Sequence, residues 1–149
     1  FLRLLLDAIH SCPRPGGGSL AFDLFGGVLQ SDVKCLGCRK ISSTLDGYFD
    51  LSLELTGVTS LSHALTHFVR IEQLDDKYKC DRCNALCPAI KRLSIRHAPP
   101  ILTIHLKRFD NFMTKNCKYI AYGHELELTP FMSHNAAQAE QVVQYQLFG

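Results

Sequence analysis

Residues 31–40 read "SDVKCLGCRK", and residues 76–85 answer them with "DKYKCDRCNA". Each stretch holds a Cys-x-x-Cys pair, Cys35 with Cys38 and Cys80 with Cys83. A Cys-x-x-Cys turn aims two thiolates at one centre, and two such turns supply the four-sulfur tetrahedron that zinc favours. Gly37 suits the tight bend of the first turn. The pairs stand farther apart than in compact zinc modules, so the chain between them must leave and return. Lys34, Arg39, Lys40, Lys79 and Arg82 flank the pairs. Their charge would offset the net negative charge of a divalent ion held by four thiolates. Cys87, one helical turn past Cys83, could substitute as a ligand, whereas Cys12 and Cys117 read as small apolar fillers. The competing reading of the four is reduced structural cysteines, or one redox pair.

Composition frames the rest. With 149 residues and 46% hydrophobic content, the chain has the size of one domain with a workable core. A net charge of +2 from 16 basic and 14 acidic residues implies no large field, so neither nucleic acid nor a membrane is an expected partner. The seven cysteines are odd in number, and four fall in the two pairs. That pattern favours a reducing, intracellular setting, nucleus or cytoplasm, over a secreted disulfide framework. The opening "FLRLLLDAIHSC" is interrupted by Arg3 and Asp7 and lacks a small-residue cleavage site, so it does not read as a secretory leader. The first residue is Phe and the last stretch is strand-like, which suggests a piece of a longer protein.

The hydrophobic pattern predicts an α+β chain with mainly antiparallel strands. A first helix is expected to bury Phe1, Leu5, Ala8 and Ile9 and to show Arg3, Asp7 and His10. Pro13, Pro15 and the glycines at 16–18 end it in a flexible connector. Strands are expected in "FGGVLQSDVKC" (25–35) and "DLSLEL" (50–55), where Leu51, Leu53 and Leu55 alternate with polar residues. Ser60 could cap a short helix whose apolar face is Leu61, Leu65, Phe68 and Val69. Further strands are expected at 91–95, 101–109, 124–128 and 143–147.

Six blocks then stand in a recognisable order: "FLRLLLDAI", "FGGVLQSDVKCLGC", "YFDLSLEL", "LSHALTHFVRIEQL", "YKCDRCNALCPAIKRLSIRHAPPILTIHLKRF" and "LELTPFMS". Together they resemble the middle of a ubiquitin-specific protease catalytic domain. The resemblance implies a partial papain-like cysteine protease fold with a zinc-ribbon fingers subdomain. Residues 1–19 would be thumb helix and connector, 20–97 fingers with zinc knuckles, and 98–149 palm strands.

It further implies a thiol-dependent deubiquitinase that hydrolyses the bond after the ubiquitin C-terminal glycine. This stretch would grip ubiquitin and bind structural Zn2+ through Cys35, Cys38, Cys80 and Cys83. Phe109 would line the channel for the ubiquitin tail. Ubiquitin and ubiquitinated proteins are the implied partners. No catalytic residue is assigned, because the family's Cys box would precede Phe1 and its His box would follow Gly149; the chain alone is expected to be inactive. "YGHELEL" (122–128) imitates a Gly-His-aromatic box, but Glu125 stands where the aromatic belongs. A Cys117/His124 dyad is the weak internal alternative. Two other functions compete: a non-catalytic ubiquitin-binding relative, and an unrelated zinc-ribbon module.

Overall fold

The structure is a computed structural model that describes residues 2–11, 18–74, 78–109, 114–134 and 142–148. Residues 12–17, with Cys12 and most of the expected connector, lie outside the described residues.

The chain opens with helices α1 (Leu2–His10) and α2 (Leu20–Phe25), which pack on each other. Ser19 caps α2 by accepting from the Phe22 N–H, satisfying a donor that the first helical turn leaves free. Of the expected face of α1, Phe1 lies outside the described residues and the rest is not buried. Leu6 is enclosed, whereas Leu5, Ala8 and Ile9 are exposed. The neighbour of α1 is α2, and that contact selects the face. His10, expected on a polar stripe, instead stacks edge-on against Phe49 at 5.4 Å and beside Phe22 at 6.1 Å.

Two long strands, β1 (Gly27–Cys35) and β7 (Ala89–His97), form the centre of a four-stranded antiparallel sheet. β2 (Ile41–Tyr48) flanks β1, and β4 (Ile71–Gln73) flanks β7. Gly27 lies opposite Tyr48, whose ring covers the glycine so closely that any Cβ would collide with it. The β1–β2 register therefore depends on a side chain that is missing.

The core lies at one end of this sheet. β3 (Leu51–Glu54) buries Leu51 and Leu53, and Leu55 follows them inward. α3 (Leu61–Phe68), capped by Ser60 through the His63 N–H, adds Ala64 and Leu65. The expected face of α3 holds, with Val69 buried and Leu61 and Phe68 packed against the cluster. β8 (Ile104–Lys107) runs parallel to β3, whereas the other paired strands among the described residues are antiparallel. Its expected span of 101–109 contracts to four residues because Pro99 and Pro100 shape the approach. β9 (Glu125–Glu127) pairs with β10 (Gln144–Gln146), and a 3-10 turn (Thr129–Phe131) brings Leu128 and Phe131 into the same core. Among the described residues, no helix is long and apolar enough to cross a membrane.

The other end of the sheet carries a small hairpin, β5 (Tyr78–Cys80) and β6 (Ala85–Cys87). Neither β2 nor β4–β6 is apparent from alternation. β2 is exposed along most of its length and β4 throughout, so neither has an apolar face to reveal it.

Candidate metal centre

The two Cys-x-x-Cys turns meet at the hairpin end of the sheet. Cys35 closes β1 and Cys80 closes β5, both fully buried, whereas Cys38 and Cys83 sit half-buried in the turns that follow. All four sulfurs lie within 4.8 Å of one another. Cys35 Sγ is 3.9 Å from Cys83 Sγ, and Cys38 Sγ is 3.5 Å from Cys80 Sγ. A zinc tetrahedron with Zn–S bonds of about 2.3 Å requires sulfurs about 3.8 Å apart, so the donor set fits that ion in number, chemistry and spacing.

The two turns are built alike. In each, the residue after the second cysteine takes a left-handed backbone: Arg39 at φ 62° and Asn84 at φ 51°. The first turn is closed by the Arg39 N–H donating to the Cys35 carbonyl at 2.9 Å, and by the Cys35 N–H donating to the Lys40 carbonyl at 3.0 Å. Gly37 lies within the first turn, as its permissive backbone suits, and the left-handed position falls on Arg39. At Gly37 a Cβ would meet sulfur at ordinary contact distance. A Cβ there would stand 3.6 Å from both Cys35 Sγ and Cys87 Sγ, and 3.7 Å from Cys83 Sγ.

The electrostatics favour a thiolate at the centre. The Cys38 N–H, joined by the Gly37 N–H and by neighbouring thiols, holds the Cys35 thiol down to about 6 against the opposing effect of burial. Cys83 is pushed up, first by its hydrogen bond with Cys38, and Cys87 is pushed up chiefly by burial. Of the flanking bases, Lys40 approaches Asp81 of the second turn at 4.0 Å, which links the two knuckles across their surface. Cys87 is on strand β6, not a helical turn beyond Cys83, and its sulfur faces the cluster. Only part of its relation to the site was readable in the sequence, since the β5–β6 pairing that turns it inward has no apolar alternation.

The remaining candidates are dispersed. Phe109 is 60% exposed and forms an isolated bridge with Lys115. It stands apart from the lining of a groove of about 940 Å³ bordered by Phe25, Leu102, Leu106, Tyr145 and Phe148. Cys117 is exposed, and its thiol donates to the Lys115 carbonyl at 3.8 Å. Among the described residues, no hydrogen bond joins it to His124, and no Cys–His dyad forms. His124 leads into β9, so the apparent Gly-His box is the approach to a strand.

Comparison with known proteins is consistent along the chain. The family profile "UCH: Ubiquitin carboxyl-terminal hydrolase" matches residues 1–149. Ubiquitin carboxyl-terminal hydrolase 42 of Homo sapiens is 43% identical over 145 residues, covering 89% of this chain and 11% of that protein. Ubiquitin carboxyl-terminal hydrolase 25 of Arabidopsis thaliana is 40% identical over 164 residues, covering 100% of this chain and 24% of that protein. Among solved structures, the SAGA Ubp8/Sgf11/Sus1/Sgf73 deubiquitinating module bound to monoubiquitin matches with a TM-score of 0.78 at 30% identity, covering 89% of this chain and 33% of that one. The same module bound to ubiquitin aldehyde matches with a TM-score of 0.75 at 29% identity, covering 88% of this chain and 32% of that one. The chain thus spans a minor part of each relative. The alternative of an unrelated zinc-ribbon module falls with these matches. The α+β fold, the two converging Cys-x-x-Cys turns and the match along all 149 residues place the chain in the ubiquitin carboxyl-terminal hydrolase family.

Proposed function

We propose that this chain is the ubiquitin-gripping, zinc-bearing part of a thiol-dependent deubiquitinase that hydrolyses the bond after the ubiquitin C-terminal glycine. Residues 1–19 serve as thumb helix and connector, 20–97 as fingers and 98–149 as palm strands. Convergence of Cys35, Cys38, Cys80 and Cys83 at one end of the β1–β7 sheet carries the reading, because it fits a structural zinc at a finger tip. The likeness to a module solved with ubiquitin supports the choice of partner.

Zinc held there would tie the two turns together as a structural cross-link. The chain's own residues do the rest. β1 and β7 hold the centre at a fixed distance from the core, and the exposed β2 edge, with Ile41 and Leu45 outward, offers surface to a globular partner. Phe109, solvent-facing beyond β8, is available to the ubiquitin tail. Hydrolysis requires a thiolate nucleophile, a His base and an oxyanion hole. No Cys–His pair among the described residues supplies the first two, so we assign turnover to the whole enzyme and none to this chain alone.

Calorimetric titration of the purified chain with ubiquitin tests the reading. Saturable binding, weakened by Leu45→Asp, is expected, alongside no cleavage of a ubiquitin C-terminal reporter. Lack of binding by the zinc-loaded chain would refute the gripping role, and reporter cleavage would refute the assignment of turnover elsewhere.

A further inference from the structure

Four sulfurs form the close cluster, and a fifth, that of Cys87, lies beside it next to Gly37. The β5–β6 register and the approach of the segment before β7 to the first turn bring it there. In the β5–β6 hairpin, Cys80 lies opposite Ala85 and Tyr78 opposite Cys87. Residues two apart on a strand share a face, and cross-strand partners share it too, so Cys80 and Cys87 are diagonal neighbours on one face. In the large sheet, Cys35 lies opposite Ala89, and the Leu36 N–H donates to the Pro88 carbonyl at 2.9 Å. That hydrogen bond lays the segment before β7 alongside the first turn, where Cys87 Sγ is 3.6 Å from the Cβ position of Gly37. The sulfurs of Cys35, Cys83 and Cys87 all lie within 3.7 Å of the Cβ position of Gly37, so the three surround one point at ordinary contact distance.

We propose that Cys87 is a fifth sulfur ligand of this centre, interchangeable with Cys83 at one coordination position, so that bound zinc keeps one unligated thiol beside it. The proposal rests on the zinc reading above and extends it. Cys83 is the partner in exchange for a geometric reason. Cys35 and Cys80 are fixed by strand pairing and fully buried, and Cys38 is in contact with Cys80 at 3.5 Å. Cys83 sits in a turn, half-buried, on the side of the cluster that Cys87 also occupies.

Zinc imposes no geometric preference from its d electrons and can add a fifth ligand before losing one, so exchange needs no change in oxidation state. The Zn–S bond to Cys83 breaks as that to Cys87 forms, and the proton leaving the Cys87 thiol passes to the Cys83 sulfur. The bland alternative is a small apolar residue filling space at the end of β6.

Metal content of four forms separates these readings: the native chain, Cys80→Ser, Cys83→Ser, and Cys83→Ser combined with Cys87→Val. The native chain and Cys83→Ser are each expected to retain about one zinc, with Cys80→Ser and the double variant retaining none. Cobalt substitution of Cys83→Ser should preserve the four-sulfur charge-transfer band. Loss of metal from Cys83→Ser to the level of the double variant would overturn the proposal. A second measurement needs no variant: in brief N-ethylmaleimide labelling of the zinc-loaded native chain, exposed Cys117 labels independently, and the label on the five clustered cysteines should divide between Cys83 and Cys87. Label on Cys87 alone would identify Cys83 as the sole ligand and overturn the exchange. A native chain without zinc would remove the underlying zinc reading as well, whereas a zinc-loaded native chain with metal-free Cys83→Ser removes the exchange alone.

Discussion

The two ends of the β1–β7 sheet are held by different physics. At one end Leu51, Leu53, Leu55, Val58, Leu65, Ile95, Ile120 and Leu128 are almost wholly buried against one another, and the hydrophobic effect sustains them without help. At the other end the buried side chains are Cys35, Cys80 and Ala89, while Leu36 and Leu86 face solvent. A hairpin of two three-residue strands has too little apolar area to offset its own ordering entropy. Four converging thiols, which could hold a metal ion, stand where that area is missing. The two ends are therefore separable in what orders them, apolar burial at one and converging thiols at the other.

With zinc bound as proposed, the most severe way to break the comparison is to remove it. Structural zinc contributes on the order of 10–16 kcal/mol in isolated finger peptides, so chelation should abolish ordering of β5 and β6. Hydrogen exchange is the appropriate readout: protection should vanish across the hairpin and the Cys35 end of β1, yet persist in β3 and α3. Equal loss at both ends would show that the sheet transmits the disruption and that the regions are one unit.

The converse perturbation is next in size. Leu53→Ala leaves a cavity in the core and should cost about 2–5 kcal/mol, lowering the urea midpoint. Its zinc content should be unchanged; a parallel loss of zinc would contradict the separation. A smaller effect sharpens the picture on the core side. Ser60→Ala deletes the acceptor for the His63 N–H at 3.2 Å and should cost about 1 kcal/mol, read as a small shift in thermal midpoint. The smallest effect is expected at the exposed Lys107–Glu54 pair, 3.0 Å across the parallel β3–β8 ladder. Lys107→Ala should cost less than about 1 kcal/mol, and moderate salt should erase the difference.

Legibility in the sequence follows the same division. The core was readable where a period repeats: alternating leucines announced β3, and the Ser60 cap with Leu61, Leu65, Phe68 and Val69 announced α3. The four thiols were readable because spacing alone encodes a knuckle. The strands supporting them were not, since β2 and β4 present little apolar surface and the hairpin is held by its turn and its sulfurs. The buried face of α1 was misjudged because several leucines satisfy helical periodicity and only the position of α2 selects Leu6. Gly37 reads as permissive for the turn, but residue type alone does not reveal that the left-handed position falls on Arg39.

The most direct test of a sulfur-held finger tip is the metal content of the purified native chain by native mass spectrometry, with Cys80→Ser as the reference. About one zinc per chain, absent from the variant, is the predicted result. A native chain that stays metal-free with zinc supplied, yet keeps β5 and β6 protected from hydrogen exchange, would contradict it.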